Sequence, residues 1–167
     1  GVHVTLNSEW RAGYRWGPVS TVDRTSGLVD ELGHMYPTTE ATQRHADPEA
    51  VAREITVQVE RAEAAGIDVT HIDTHMGTAF FPGFLESYVS IAIAHDIPPF
   101  LLRHTHIAEA LERRNVGPDL GAKLIRRSAE LEEQGLPMFD YVADVPFRGR
   151  EVHLSQIKQA LARLKPG

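Results

Sequence analysis

The densest cluster of side chains that could do chemistry is the run Thr70–His75, whose sequence is THIDTH. Imidazole and carboxylate groups bind divalent cations and carry protons near neutral pH. The run lies at the C-terminal end of a predicted strand, and on an extended strand His71, Asp73 and His75 point to one side. Residues 71 and 75 are then about 13 Å apart, so one cation cannot take both imidazoles unless the chain turns, as Gly77 would allow. A histidine on another strand is therefore the better partner for His75.

His3 is the candidate for that partner, because it lies on a predicted strand over residues 2–6 whose apolar residues share the opposite face. Barrel-like folds assemble their sites from the ends of different strands. Imidazole and carboxylate donors suit zinc, manganese or iron and, with added waters, magnesium. The alternative is that both histidines are structural hydrogen-bonding residues, that His71 supports Asp73, and that Asp73 fixes a histidine tautomer rather than binding the cation.

Two further groups could contact a substrate. Arg103 ends a short predicted strand over residues 99–103, where a guanidinium can hold an anion or orient a carboxylate. Trp10, Tyr14, Arg15 and Trp16 lie in the loop after the first strand and could form a wall on which a sugar ring stacks. The alternatives are a surface cation for Arg103 and loop anchoring for the other four.

The elements that must position these groups alternate between strand and helix. Asp47 followed by Pro48 is a helix start, and Gly66 is its C-terminal stop. The predicted order is strand 2–6, loop 7–45, helix 47–66, strand 67–73, helix 82–95, strand 99–103, helices 106–114 and 118–134, strand 141–145 and helix 152–164. This order predicts one α/β domain over residues 1–167, with parallel strands joined by helical crossovers. A closed barrel needs more strands than these, so we expect an incomplete unit.

Composition narrows the possible functions. The 167 residues include no cysteine, which excludes a disulfide scaffold, a thiolate metal site and a cysteine nucleophile. The net charge of -6 argues against a nucleic-acid partner, and no apolar run is long enough to span a membrane. No leader sequence is recognisable, so we expect a cytoplasmic protein. An incomplete unit exposes apolar faces, so we also expect a homodimer or higher self-association.

Two motifs resemble those of a known family. Residues 1–6, GVHVTL, resemble the G-[VM]-H-[LF]-x-L segment of the YdjC-like carbohydrate deacetylases, the family of chitooligosaccharide deacetylase, and residues 70–75 resemble its T-H-[LI]-D-[ST]-H segment. Residues 14–18, YRWGP, are similar to a loop of one bacterial branch of the family. The resemblance covers most of the chain and implies a (β/α) barrel-like deacetylase fold. It also implies a hydrolase that removes N-acetyl groups from amino sugars or oligosaccharides.

The resemblance implies roles for individual residues as well. A divalent metal, magnesium or zinc, would be held by an Asp and two His, which map to His3 and His75, and metal-activated water would attack the amide carbonyl. Arg103 and the 14–16 loop would lie near the pocket. The family's Asp-Asp strand, with the third ligand and the general base, would precede Gly1, and its His-Pro strand would follow residue 167. We therefore expect a partial YdjC-like deacetylase domain that is inactive alone unless Asp73 takes over as base.

Two other functions remain open. One is a non-catalytic sugar- or metal-binding module, which would share the loop aromatics but lack the base. The other is a barrel sugar isomerase that uses the same His and Asp ligands; it would release no acetate.

Overall fold

The computed structural model describes residues 1–10, 13–21, 23–113, 117–142 and 150–164. The strands are β1 (Val2–Val4) and β2 (Ile72–Thr74). The helices are α1 (Thr39–His45), α2 (Pro48–Ala64), α3 (Pro82–Ala94), α4 (His104–Arg113), α5 (Pro118–Glu133) and α6 (Arg150–Ala162), with short 3-10 segments at Arg24–Ser26 and His75–Phe80. None of the helices in these ranges combines the length and apolar character needed to cross a bilayer.

The sheet is parallel, as the alternation of elements predicts. β1 pairs with β2 in a register that places His3 opposite Asp73, and α2 lies in the connection between the two strands. Two parallel bridges, Ile72 to Pro99 and Leu102 to Phe139, extend the pairing beyond β2. The architecture of parallel strands with helical crossovers is therefore confirmed, whereas closure into a barrel stays a prediction.

The core forms between the sheet and the helices that pack on it. Alternation along β1 buries Val2 and Val4 and leaves His3 exposed, as the period-two pattern predicts. Fully buried side chains of the core include Leu6, Ile55, Val59, Ile72, Tyr88 and Val89. The imidazole of His3 consequently lies on the side of the sheet that faces away from this core.

Helix α2 begins where its capping residues predict. The Asp47 side chain accepts a hydrogen bond from the backbone N–H of Glu49, and Pro48 occupies the first turn. Gly66 follows the helix with a φ of 78°, a left-handed conformation that glycine adopts without strain. This helix also anchors β1, because the Gln58 amide donates to the Thr5 carbonyl (2.7 Å) and its oxygen accepts from the Thr5 N–H (2.9 Å).

The predicted loop over residues 7–45 was wrong in part, because it contains α1. Thr38 caps this helix by accepting from the Ala41 N–H (3.2 Å), but only Thr42 of its seven residues is buried. A helix that buries one polar residue has no apolar periodicity to detect.

The predicted strands are longer than the observed ones. β1 ends at Val4 rather than at residue 6. β2 covers Ile72–Thr74 rather than 67–73. It begins later than predicted because residues 67 and 68 are exposed and have no neighbouring strand to pair with in the described part of the chain. In the predicted strand over 141–145, residues 141 and 142 are irregular and the bridge lies earlier, at Phe139. Residues 143–145 lie outside the described ranges.

Candidate functional site

Two histidines meet beside the paired strands: His3 is the middle residue of β1, and His75 directly follows β2. Nε2 of His3 lies 3.1 Å from Nδ1 of His75, and the two rings are in edge-to-face contact with centroids 5.2 Å apart. His75 reaches this position because the chain leaves β2 at Thr74 and turns through Met76 (φ 52°) and Gly77 (φ 72°). The His3 side chain is about half exposed, so the pair is open to a ligand.

A carboxylate contacts the outer nitrogen of each histidine. Nδ1 of His3 lies 2.8 Å from Oδ1 of Asp73, its register partner on β2. Nε2 of His75 lies 3.0 Å from Oε2 of Glu9, which follows β1. The four side chains form a continuous series in the order Asp73, His3, His75, Glu9.

The positions of the ring hydrogens in this series depend on the tautomers of the two histidines. An ionised carboxylate only accepts hydrogen bonds, which favours hydrogens on Nδ1 of His3 and Nε2 of His75. Nε2 of His3 and Nδ1 of His75 face each other at 3.1 Å. This separation fits a hydrogen bond between the rings when one inner nitrogen carries a hydrogen, and a cation bound by both when neither does. The separation suits two metal–nitrogen bonds of about 2.0–2.1 Å.

The electrostatics of Glu9 agree with an ionised carboxylate. Partial burial raises the pKa of Glu9, but hydrogen bonds from its own backbone N–H and from His75 outweigh that effect, so the net pKa lies below the usual value of 4.5. The indole of Trp10 lowers the pKa further. Glu9 is therefore a charged acceptor at neutral pH.

Asn7 connects the two segments that carry this series. Its buried amide nitrogen donates to the sulfur of Met76 (2.9 Å), and its amide oxygen accepts from the hydroxyl of Thr78 (2.9 Å). Because Met76 occupies the left-handed turn next to His75, these contacts hold the turn that directs His75 toward β1. Sequence reasoning missed both Asn7 and Glu9; their position in the first residues after a predicted strand was the available signal.

His71 lies apart from this series. It precedes β2, its Nδ1 is 3.0 Å from the Thr70 hydroxyl, and its ring packs so closely on Gly1 that a Cβ at residue 1 would clash with Nε2 of His71. Its backbone carbonyl accepts from the Val2 N–H (3.0 Å). His71 directly precedes β2 and His75 directly follows it, so the two histidines lie at opposite ends of this strand.

Arg103 lies at the end of the third parallel segment, as predicted, but its guanidinium is paired within the protein. It contacts Glu132 of α5 (2.8 Å) and Asp140 (2.6 Å), and its backbone N–H donates to the Phe139 carbonyl (3.1 Å). Glu132 also accepts from His104 (2.9 Å), a hydrogen bond that lowers the pKa of Glu132. These contacts favour a structural role, and a contact of Arg103 with substrate stays a prediction.

The predicted aromatic loop divides into anchoring and exposed residues. Arg15 donates to Asp30 (2.6 Å) and to the Met35 carbonyl, which pins the loop to the body of the protein. Trp16 is half-buried, and its backbone N–H donates to the Ser8 hydroxyl (3.1 Å), one residue before Glu9. Tyr14 is 77% exposed. Tyr14 and Trp16 therefore remain candidates for a sugar contact, whereas the Arg15 guanidinium is engaged.

Few side chains in the described part of the chain are placed to bind one metal ion together. No group of three or more His, Asp or Glu side chains there is arranged to hold a metal ion. The facing nitrogens of His3 and His75 consequently provide two protein donors, and a complete metal site needs at least one more donor from water, substrate or another part of the protein.

Comparison with protein families gives a match over the whole chain. The model of the YdjC-like protein family matches residues 1–167. A carbohydrate deacetylase of Thermus thermophilus is 33% identical over 145 residues, covering 82% of this chain and 51% of that protein. A carbohydrate deacetylase of Thermoanaerobacter pseudethanolicus is 26% identical over 98 residues, covering 59% of this chain and 36% of that protein. The chain thus spans about half the length of these relatives, or less.

A solved structure supports the fold. A candidate cellobiose-phosphate cleavage protein of Enterococcus faecalis V583 superposes with a TM-score of 0.69 over 97% of this chain and 53% of its own chain. The sequence identity is 19%, so this likeness shows the fold and nothing further.

Proposed function

We propose, because this chain belongs to the YdjC-like family, that it is part of a hydrolase that removes N-acetyl groups from amino sugars or oligosaccharides. Two relatives named carbohydrate deacetylase support the reaction class. The observation that carries the proposal is the pair of imidazole nitrogens, Nε2 of His3 and Nδ1 of His75, which face each other at 3.1 Å where β1 and β2 pair.

The donor chemistry fits a divalent cation. Nε2 of His3 and Nδ1 of His75 would hold it, and imidazole donors suit zinc, or magnesium where waters complete the shell. When bound, such a cation lowers the pKa of water and polarises an amide carbonyl. Each proposed ligand has its other nitrogen on a carboxylate, which is the usual arrangement for metal-binding histidines.

The other side chains have supporting tasks in this proposal. Asp73 is occupied by the Nδ1–H of His3, so it orients that ring rather than acting as the general base. Tyr14 and Trp16 offer aromatic surface to a sugar ring, and Arg15 fixes the loop that carries them.

The test compares His75→Ala with the unchanged full-length protein. Bound metal is measured by elemental analysis, and acetate release is measured on N-acetylated chitooligosaccharides. We expect the variant to lose the metal and to lose activity by more than the roughly 10–100-fold typical of an outer-shell partner. The matched control is His106→Ala, because His106 is an exposed imidazole that contacts Thr105. Retention of both metal and turnover in His75→Ala would overturn the proposal.

A non-catalytic sugar- or metal-binding module is the second candidate. It is favoured by the finding that only two nitrogens converge within the described ranges. Calorimetry that detects oligosaccharide binding by the metal-loaded full-length protein, with no acetate released over the same period, would establish it in place of the deacetylase.

A further inference from the structure

We infer that Glu54 is a positioning residue that holds the aromatic loop, residues 14–20, beside the histidine pair. The inference rests on the proposed function, because it treats Tyr14 and Trp16 as sugar contacts, and it adds a residue that lies outside the sequence motifs. Glu54 belongs to α2, and its side chain is fully buried. Burial of a carboxyl group is costly unless donors surround it, so the groups that donate to Glu54 indicate its task.

Three hydrogen bonds reach this carboxyl group, and two of them come from the loop. The backbone N–H of Val19 donates to Oε1 (2.9 Å), and that of Ser20 donates to Oε2 (2.8 Å). The amide of Gln58, one turn further along α2, donates to Oε1 (2.7 Å). Both oxygens of Glu54 therefore hold consecutive backbone groups of the loop, which a side chain with a single acceptor oxygen could not do.

Gln58 connects the same helix to the strand of His3. Its amide group donates to the backbone carbonyl of Thr5 and accepts from the backbone N–H of that residue, which lies two positions after His3. Adjacent turns of α2 thus hold the chain after β1 and the aromatic loop, and the hydrogen bond from Gln58 to Glu54 joins the two anchor points. Because both anchor points belong to one helix, the loop keeps its place relative to β1.

The loop is also held close to the histidine pair. The backbone N–H of Trp16 donates to the Ser8 hydroxyl (3.1 Å), and the residue that follows Ser8 contacts His75. The segment 16–20 is therefore fixed at both ends, near His75 by Ser8 and on α2 by Glu54. A loop fixed in this way loses less conformational entropy when a ligand binds.

This arrangement predicts an effect on sugar binding that is separate from the chemistry. In Glu54→Gln the side chain keeps its size, but its amide nitrogen is a donor and would face a donor. The loop then loses a hydrogen bond, whereas the contacts of Gln58 with Thr5 remain. The aromatic surface of the loop should become mobile while the histidine pair stays in place.

The experiment measures turnover and binding of tri-N-acetylchitotriose by the full-length protein. With zinc bound, we expect Glu54→Gln to raise KM roughly tenfold, the equivalent of one hydrogen bond, and to keep kcat within about twofold. Without zinc, calorimetry should show the same loss of affinity for the sugar. The matched control is Glu60→Gln, an exposed glutamate on the same helix, which should change none of these values.

A second variant acts on the same loop without touching the core. The guanidinium of Arg61, an exposed residue, donates to the Val19 carbonyl (3.0 Å). Arg61→Met should raise KM in the same direction by a smaller factor. Its control is Arg53→Met, which removes an exposed arginine of α2 that lies 4.0 Å from Glu49. Hydrogen exchange in residues 14–20 should be faster in Glu54→Gln and Arg61→Met than in the controls.

The outcomes separate this inference from the proposed reaction. Unchanged KM and sugar affinity in both loop variants would overturn the inference, as would a loss confined to kcat. An unchanged protein that binds no tri-N-acetylchitotriose would overturn it as well. Sugar binding that is weakened in Glu54→Gln, in a protein that releases no acetate, would instead reject the proposed reaction and leave the role of Glu54 standing.

Discussion

The buried side chain of Asn7 makes two hydrogen bonds. Its amide nitrogen donates to the sulfur of Met76, and its amide oxygen accepts from the hydroxyl of Thr78. In Asn7→Ala the hydroxyl of Thr78 loses this acceptor and keeps only the His75 carbonyl (3.2 Å). Weakening a buried hydrogen-bond network in this way is expected to lower the free energy of unfolding by about 1–3 kcal/mol. Urea unfolding measures the change.

The control for Asn7 is a double-mutant cycle with Thr78→Val. Because both single variants remove the same hydrogen bond, the double variant should destabilise the protein by less than the sum of the two. Strict additivity would show that the contact between Asn7 and Thr78 contributes nothing to stability.

Asp30 gives a prediction about pH. Burial raises the pKa of Asp30, but hydrogen bonds from Arg15 and from the backbone N–H groups of His34 and Leu32 outweigh this, so the net pKa lies below 3.8. A carboxyl whose pKa is lower in the folded state stabilises the protein above its unfolded pKa and loses this contribution as the pH falls through its folded pKa.

The measurement for Asp30 is urea unfolding of the protein and of Asp30→Asn at decreasing pH. Near neutrality Asp30→Asn should be the less stable of the two. The difference should shrink only when the pH falls below about 3.8, the usual value of an aspartate. A difference that is independent of pH would show that charge does not matter in the contact of Asp30 with Arg15.

Single residues also show where sequence reasoning succeeds and fails. The strand pattern and the THIDTH run were enough to predict that His3 and His75 converge, and their ring centroids are 5.2 Å apart. Glu9 was not predictable from pattern, because a lone carboxylate in irregular chain has no periodicity and its partner is 66 residues away. The roles of all these residues stay predictions.

At the scale of elements, Tyr88 joins α3 to two strand segments. Its buried hydroxyl donates to the Ile72 carbonyl (2.8 Å) and accepts from the Phe100 N–H (3.0 Å), and burial raises the pKa of the phenol, which keeps it neutral. Tyr88→Phe preserves the ring and removes both contacts, although the Phe100 N–H retains its bond to Ile72. We expect a loss of about 0.5–1.5 kcal/mol in urea unfolding.

The matched control is Tyr14→Phe, which removes an exposed hydroxyl from a loop residue. It should leave the free energy of unfolding unchanged within about 0.5 kcal/mol. Equal effects of the two substitutions would mean that the Tyr88 hydroxyl does not help to hold the sheet to α3.

Elements with strong local signals were the ones that sequence could predict. α2 begins at Pro48 after its Asp47 cap, as expected, because a helix cap involves residues that are close together in the sequence. The observed lengths of β1 and β2 were not predictable, since a strand ends where its neighbour stops pairing and that depends on distant segments. α1 was not predicted because Thr42, a polar residue, is the one buried residue among its seven.

At the scale of the whole molecule, we expect binding of the proposed cation to be coupled to folding. His3 and His75 are 72 residues apart and meet only when β1 and β2 pair, so a cation held by both binds the folded state. Zinc at about 100 times its dissociation constant should add about 2.7 kcal/mol to the free energy of unfolding. Urea unfolding of the full-length protein with zinc and with a chelator measures this.

The control for this coupling is His3→Ala, which removes one of the two inner nitrogens. Its stability should respond much less to zinc than that of the unchanged protein. If the variant and the unchanged protein are stabilised equally, the ion binds somewhere other than between these two rings.

The register of the parallel ladder has a consequence for the assembly of the molecule. His3 and Asp73 are direct partners, so a slip of one residue would turn His3 toward the apolar interior and separate imidazole from carboxylate. The contact between Nδ1 of His3 and Asp73 thus forms only when the strands have aligned correctly. The ring resonances of His3, followed during refolding, would distinguish chains that have reached the native alignment from compact chains that are misaligned.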